Sequence, residues 1–244
     1  MVQSRLVRMN ANFQEVGTIP LRTTFFKAGN IYKQGMIDEL VRGMATLPGK
    51  KISDSVTPDL SQSLFPNPKT PQFGHDLVSL NIQRGRDHGI NGYMEWRKLC
   101  KLPTANSFEA LKKLNVMPSQ VVDKLKSVYE SVADIDLYPA GLSENRSADG
   151  LVGKTFSCIL AEQFGRLRTG DRFWYENDLP LPSRLTNEQL KAIRQTSMAS
   201  IICSTTTNLK AIQPRVFETI TQLGNKRVDC SSIPGLDLQP WRRA

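Results

Sequence analysis

The sequence of 244 residues lacks several features that would define a function class. It has no Cys-x-x-Cys pair, so a structural zinc site is not expected. No apolar run approaches the roughly 20 residues that a membrane-spanning helix needs. Residues 1–6 contain no apolar core of the kind found in signal peptides. No internal repeat is visible.

Acidic residues are outnumbered, because 32 Lys and Arg stand against 23 Asp and Glu, a net charge of +9. The basic residues are scattered, and no recognisable nucleic-acid-binding module accompanies them. We therefore expect no dedicated nucleic-acid site. A positive charge of this size favours a general attraction to polyanions, which makes polyanionic glycans candidate partners.

Cysteine is present at four positions: Cys100, Cys158, Cys203 and Cys230. Four cysteines allow three pairings, and the residues alone do not choose between them. The alternative is four reduced thiols in the core, since free cysteine is often buried. Disulfides would place the protein in the secretory pathway or outside the cell. The only Asn-x-Ser/Thr sequon, at Asn145, lies in a polar stretch and is a candidate glycosylation site.

The hydrophobic periodicity and the capping residues predict a mainly α-helical chain with at most marginal strand. Helices are predicted over residues 20–28, 31–46, 77–88, 92–102, 108–114, 118–129, 151–167 and 186–202. Irregular structure is predicted for residues 1–20 and for the tail after residue 224. Residues 50–73, rich in proline, are predicted to form a long loop, and residues 132–145 a loop without the acid spacing of an EF-hand.

The most informative stretch is residues 77–96, LVSLNIQRGRDHGINGYMEW. In its helical half, Asn81, Arg84 and His88 fall on one face beside leucines, and Gly89 is placed to end the helix. Polar groups beside leucines are buried only where each finds a partner. One interpretation is a polar helix at the edge of the core. The other is a face that meets an anionic or hydrogen-bonding ligand.

The run from Leu80 to Gly89, with Gly92-Tyr93 and Trp96-Arg97 after it, closely resembles the signature of animal-type haem peroxidases. This is the superfamily of myeloperoxidase, peroxidasin and the peroxinectins. Further matching segments are residues 16–21, 42–44, 161–164, 167–168, 170–177, 201–203 and 241–242. The resemblance implies that residues 1–244 are one partial domain, the C-terminal portion of the multi-helical, mainly α haem peroxidase domain.

The resemblance also implies roles for individual residues. The family binds haem and uses hydrogen peroxide to oxidise halides, thiocyanate or phenolic donors. By matching position, Asn81 is expected to accept a hydrogen bond from the proximal histidine. Arg84 is expected to pair with a haem propionate, for which its planar pair of donors is suited. His88 belongs to the motif but is not the family's iron ligand, so a hydrogen-bonded structural role is expected.

The family has cysteines in matching places. The resemblance therefore implies bridges between Cys100 and Cys158 and between Cys203 and Cys230. Each bridge would contribute roughly 4 kcal/mol by the chain-entropy model. An extracellular or secretory location follows from the bridges.

The residues that carry out catalysis or bind metal in the family have no matching positions here. No catalytic residue and no metal ligand is therefore expected in this chain. The family's proximal histidine lies in an Arg-x-Gly-His stretch just before the segment that residues 5–8 resemble. We expect the chain to begin just after that stretch. The distal histidine, the distal arginine, the ester-forming carboxylates and the calcium loop lie further upstream in the family.

Two functions from different classes are consistent with these residues. In the first, the chain is part of a secreted haem peroxidase, is inactive alone, and needs the missing N-terminal portion. In the second, it is a separate non-catalytic product that acts as an extracellular binding or adhesion protein. Its Arg84-Gly85-Arg86-Asp87 run is not an integrin-type Arg-Gly-Asp and is predicted to be helical. The genomic sequence upstream of the first codon would discriminate between the two.

Overall fold

The structure is a computed structural model that describes residues 3–67, 69–70, 73–148, 150–180 and 182–242. The chain divides into two compact units. Unit 1 consists of the described residues from 50 to 170, and unit 2 consists of those from 3 to 49 and from 171 onwards. Within the described residues, no helix is both long and apolar enough to cross a membrane.

The predicted mainly α fold is confirmed, with few strands. The helices are α1 (Met36–Thr46), α2 (Pro58–Ser61), α3 (Leu77–Asp87), α4 (Tyr93–Leu99), α5 (Phe108–Lys113), α6 (Ser119–Val128), α7 (Leu137–Ser143), α8 (Lys154–Gly170), α9 (Asn187–Gln195) and α10 (Met198–Thr205). The strands are β1 (Arg5–Met9), β2 (Glu15–Pro20), β3 (Ala211–Ile212) and β4 (Val228–Asp229). Short 3-10 helices cover Leu21–Thr23, Ala28–Tyr32, Val132–Asp134, Cys230–Ser232 and Gln239–Trp241.

The core of unit 1 is built from α4, α5, α6 and α7. Its most deeply buried side chains are Tyr93, Leu111, Met117, Val122 and Ile135. Helix α5 begins at Phe108, as predicted, because the Ser107 side chain caps it by accepting a hydrogen bond from the backbone N–H of Ala110. This core holds α4 and the start of α7 in fixed positions.

Helix α7 occupies the segment that was predicted to be a loop. Pro139 and Gly141 argue against a helix in the sequence, but Pro139 lies in the first turn, where its missing N–H costs nothing. Gly141 is required by packing, because a side-chain carbon there would lie 2.5 Å from the Phe156 ring. The helix is therefore stabilised by its tertiary contacts and not by local propensity.

The predicted loop at 50–73 contains more order than expected. It includes α2, and a backbone bridge pairs Leu64 with His75. His75 lies before α3, which begins at Leu77. Of the prolines in this loop, Pro68 and Pro71 lie outside the described residues.

The prediction of irregular structure for residues 1–20 is wrong, because β1 and β2 form an antiparallel hairpin. Val7 and Met9 are buried at the alternate spacing of a strand, a pattern too short to stand out in the sequence. Helix α1 packs against β1. Gly43 allows the close approach, since a side-chain carbon there would lie 1.9 Å from the Val7 carbonyl oxygen.

Other boundaries in unit 2 also differ from the prediction. The helix predicted at 20–28 is reduced to the 3-10 turn Leu21–Thr23, and the helix predicted at 186–202 is two helices, α9 and α10. Thr186 and Gln189 form a capping box that starts α9, next to the predicted helix start at residue 186. Ser197 and Ser200 form a second box that starts α10, so the serines interrupt the helical pattern. Strands β3 and β4 pair antiparallel.

Candidate functional site

Helix α3 is bounded by two local signals. At its start, Asp76 accepts hydrogen bonds from the Val78 N–H at 2.8 Å and from the Ser79 hydroxyl at 2.7 Å. At its end, Gly89 adopts the left-handed conformation with φ of +64°, as predicted. The Arg84-Gly85-Arg86-Asp87 run lies inside this helix, as predicted.

Asn81 and Arg84 lie together at one cavity in unit 1, with a volume of about 360 Å³. Its apolar walls come from Ile82, Ile90, Leu137 and Phe156, and Gly85, Asp136 and Tyr138 complete the lining. Within the described part of the chain, neither the Asn81 amide nor the Arg84 guanidinium has a hydrogen-bond or acidic partner. The cavity thus offers a free amide and a free cation beside apolar side chains.

Arg86 lies two residues further along α3 and, unlike Arg84, is paired with an acid. Its Nε and Nη2 donate to the two oxygens of Asp136 at 3.0 and 2.7 Å, a bidentate pair. The Tyr129 hydroxyl donates to the same carboxylate at 2.7 Å. Burial alone would raise the pKa of Asp136, but these hydrogen bonds outweigh it and lower the pKa below its ordinary value. The pair ties α3 to the residue that precedes α7.

Neither histidine lines this cavity. His88 donates from Nδ1 to the Arg84 carbonyl oxygen at 2.9 Å, at the end of its own helix. His75 pairs through its backbone with Leu64. Among the described residues, no group of three or more His, Cys, Asp or Glu side chains could hold a metal ion. This hydrogen bond from His88 to its own helix is consistent with the structural role expected for the residue.

Tyr93 and Arg97, from the second half of the motif, lie in a buried polar network around Glu144. The Tyr93 hydroxyl donates to Glu144 Oε1 at 2.6 Å, and Arg97 Nη1 lies 2.5 Å from the same oxygen. Thr155 donates its backbone N–H to Oε2 at 2.9 Å and its hydroxyl to Oε1 at 2.6 Å. Burial, together with the bond to Glu144, raises the pKa of Tyr93. This network connects α4, the end of α7 and the start of α8.

Glu144 was missed in the sequence because it lies in a segment predicted to be a loop. One signal was available. Gly153 lies just before α8, and a side-chain carbon there would be 2.2 Å from Glu144 Cβ, so the glycine allows the carboxylate to reach the helix N-terminus. A carboxylate is favoured at that position by the helix dipole.

The two disulfides join the pairs that the family resemblance implies. Cys100, after α4, is bonded to Cys158 in α8, with a Cα separation of 6.1 Å. Cys203, in α10, is bonded to Cys230, with a Cα separation of 5.5 Å. Each unit is therefore closed by one bridge. The sequon residue Asn145 is exposed and follows Glu144 directly.

Comparisons with known proteins agree with the motif. The family model described as animal haem peroxidase matches residues 1–217. The peroxidasin homolog of Homo sapiens is 37% identical over 246 residues, covering 99% of this chain and 16% of the relative. Lactoperoxidase of Mus musculus is 35% identical over 246 residues, covering 98% of this chain and 33% of the relative.

Among solved structures, peroxidase A from Dictyostelium discoideum superposes with a TM-score of 0.73 and 32% identity. The match covers 88% of this chain and 39% of that chain. The chain thus spans from 15% to 34% of the length of the curated relatives it matches. The match to the family model, the motif in residues 80–97 and the mainly α fold lead to one conclusion: this chain belongs to the animal haem peroxidase family.

Proposed function

We propose that this chain contributes helix α3 to the haem pocket of a peroxidase that uses hydrogen peroxide to oxidise halide, thiocyanate or phenolic donors. The observation that carries this proposal is the pair of unpartnered side chains, Asn81 and Arg84, at one apolar-walled cavity of unit 1. Asn81 is half-buried, and half-buried polar groups normally have partners; Arg84 is exposed and lines the same cavity.

The residues at the cavity fit the edge of a haem. The guanidinium of Arg84 suits a propionate, because it offers parallel N–H donors to a carboxylate. Ile82, Leu137 and Phe156 supply apolar surface of the kind that a porphyrin ring needs. When bound, the haem supplies the redox chemistry of peroxide reduction.

Asn81 has a different role in this proposal, because its amide oxygen is an acceptor. An acceptor that receives the N–H of the iron-bound imidazole holds that ring in one orientation and raises its basicity. Asn81 is therefore a positioning residue that acts through a histidine from the rest of the domain.

The iron ligand, the groups that move protons on peroxide and the calcium of the complete domain come, in this proposal, from the remainder of the peroxidase. Exposed apolar surface supports this, because Leu160, Phe164 and Leu167 on α8 are 45%, 65% and 54% exposed. The chain alone is then inactive. Secretion is part of the proposal and is supported by the two disulfides.

The test compares the isolated chain with a full-length protein, meaning a complete peroxidase domain that includes this segment. Each is titrated with haem and assayed with peroxide and guaiacol or iodide. We expect stoichiometric haem and saturable turnover in the full-length protein, and for the isolated chain weak haem binding with no turnover above free haem. A sharp Soret band at one haem per isolated chain, with turnover lost in a His75→Ala or His88→Ala variant, would contradict the proposal.

A further inference from the structure

A second cavity in unit 1 lies beside the sequon and away from α3. Its volume is about 290 Å³. Pro103, Leu114 and Val116 form its apolar wall, and Arg146 and Lys154 are exposed polar residues that line it. The sequon asparagine, Asn145, also lines this cavity.

Asn145 is exposed, yet its position is fixed. Its backbone N–H donates to the Val116 carbonyl oxygen at 2.7 Å. Its side-chain Nδ2 donates to the Asn115 carbonyl oxygen at 3.0 Å. Two residues on, the Ser147 N–H donates to the Val152 carbonyl oxygen at 3.1 Å, so the sequon forms an ordered surface loop. Asn145 therefore lines the cavity, and only one of its two amide protons is engaged.

We propose that Asn145 carries an N-linked oligosaccharide and that the first sugar of this glycan covers the cavity. The proposal rests on the proposed passage through the secretory pathway. In the transfer, Nδ2 bonds to the anomeric carbon of a lipid-pyrophosphate-linked oligosaccharide. The bond from that carbon to the pyrophosphate oxygen breaks, and the amide loses one proton to a base of the transferring enzyme.

The structure accommodates the product of this reaction. A primary amide has two N–H donors, and the linkage consumes one. The remaining N–H is sufficient for the existing bond to the Asn115 carbonyl oxygen. The apolar face of a sugar ring can then lie on Leu114 and Val116, while its hydroxyls meet Arg146 and Lys154 at the rim. The glycan would thus shield an apolar recess from water.

Glycan occupancy is tested by fusing the chain to a secretion leader in eukaryotic cells and measuring the intact mass and the glycopeptides of the secreted protein. We expect a glycan at Asn145 in the parent chain and in Ser147→Thr. We expect none in Asn145→Gln or Ser147→Ala, which change the acceptor and the hydroxyl residue separately. A secreted parent chain without a glycan overturns the proposal. Because this measurement needs no haem, its failure is distinguishable from failure of the proposed peroxidase function.

The covering of the cavity is tested by thermal unfolding of two forms of the secreted chain. In one form the glycan is trimmed to its first sugar, and in the other it is fully removed, with Asn145→Asp as the reference for the removed form. We expect the one-sugar form to melt about 2 °C or more above the sugar-free form. Equal melting temperatures would overturn the covering role.

A matched control moves the glycan to unit 2. Tyr32→Thr creates a sequon at Asn30, on the 3-10 helix Ala28–Tyr32, where Tyr32 is 84% exposed. In the background of Asn145→Gln, the first sugar at Asn30 should not raise the melting temperature. An equal rise at both positions would show a general effect of glycosylation and would overturn the specific one.

Discussion

Helices α3 and α4 are neighbours in sequence and belong to one motif, yet their polar residues lie in opposite environments. On α4, Tyr93 is fully buried, Arg97 is 2% exposed, and both bond to Glu144. On α3, no residue is buried, and Asn81 and Arg84 have no partner within the described chain. The side chains of Tyr93 and Arg97 therefore have hydrogen-bond partners within the described chain. The side chains of Asn81 and Arg84 do not.

This difference distinguishes an arginine that stabilises the fold from an arginine that is available to bind a ligand. A buried arginine with a carboxylate and a carbonyl around it stabilises the unit, because its charge is already paired. An arginine such as Arg84, whose guanidinium has no acidic partner in the described chain, is available for an anion; the one acid at its cavity, Asp136, is paired with Arg86. Arg86 lies between these cases, since it is exposed but paired with Asp136. The motif therefore specifies both the framework and the proposed haem contacts.

The largest expected effect is on the stability of unit 1 and comes from the buried network around Glu144. Arg97→Ala leaves Glu144 buried without its charge partner and should destabilise unit 1 by about 3–5 kcal/mol. The measurement is urea unfolding followed by circular dichroism. Lys98→Ala, at the exposed neighbour on α4, is the matched control and should change stability by less than about 0.5 kcal/mol. Similar losses of stability in the two variants would contradict the stabilising role of Arg97, and with it the contrast between α4 and α3.

The bridge from Cys100 to Cys158 should have the next largest effect, because it fixes the end of α4 to α8. It links residues 58 apart, for which the chain-entropy model gives roughly 4 kcal/mol. The bridge in unit 2 links residues 27 apart and should contribute slightly less. Paired Cys→Ser variants of each bridge, compared by urea unfolding, measure both. A negligible loss for the Cys100–Cys158 pair would contradict the prediction.

The pair of Arg86 and Asp136 should have a smaller and pH-dependent effect. Since the pKa of Asp136 is lowered in the folded state, its stabilisation is present above the unfolded-state pKa and is lost as the pH falls through the folded-state pKa. The pair is partly solvent-exposed, so we expect about 1 kcal/mol or less.

The check is the stability of Asp136→Asn relative to the parent chain at neutral and at strongly acidic pH. The difference should vanish in acid. Glu130→Gln, an exposed carboxylate nearby in sequence, is the control and should show no such pH-dependent difference. A constant difference for Asp136→Asn across the pH range would mean that its charge does not stabilise α3.

The sequence predicts those parts of the fold that depend on local signals. Ser107, Thr186 and Gly89 mark helix ends, and they do so in the structure. It failed for α7, whose Gly141 is explained only by contact with the Phe156 ring, and for the hairpin of β1 and β2, where the buried alternation is short. Local pattern carries no information about those partners.

The same limit applies to the site. The face that presents Asn81 and Arg84 follows from helical spacing, and the structure brings both residues to one cavity. Glu144 and Asp136 could not be assigned, because their partners Arg97 and Arg86 lie 47 and 50 residues away. The disulfide pairing was open on spacing alone and was resolved only by resemblance to the family.

Asn81 and Arg84 should have the smallest effect on stability, because neither contributes a side-chain hydrogen bond within the described chain. Alanine at either position should change the free energy of unfolding of the isolated chain by less than about 0.5 kcal/mol. In the full-length protein, Arg84→Ala should instead weaken haem retention. A large loss of stability in the isolated chain would show that these two residues stabilise the fold of unit 1.

The proposed haem-pocket role of α3 is tested most directly by Asn81→Ala in the full-length protein, with the iron reduction potential measured by spectroelectrochemistry alongside peroxide turnover. Loss of the acceptor for the proximal imidazole should shift the potential and slow turnover by about 10–100-fold. Gln83→Ala, at an exposed position of α3 that does not line the cavity, should leave both unchanged. An unchanged potential and turnover in Asn81→Ala would contradict the role proposed for α3.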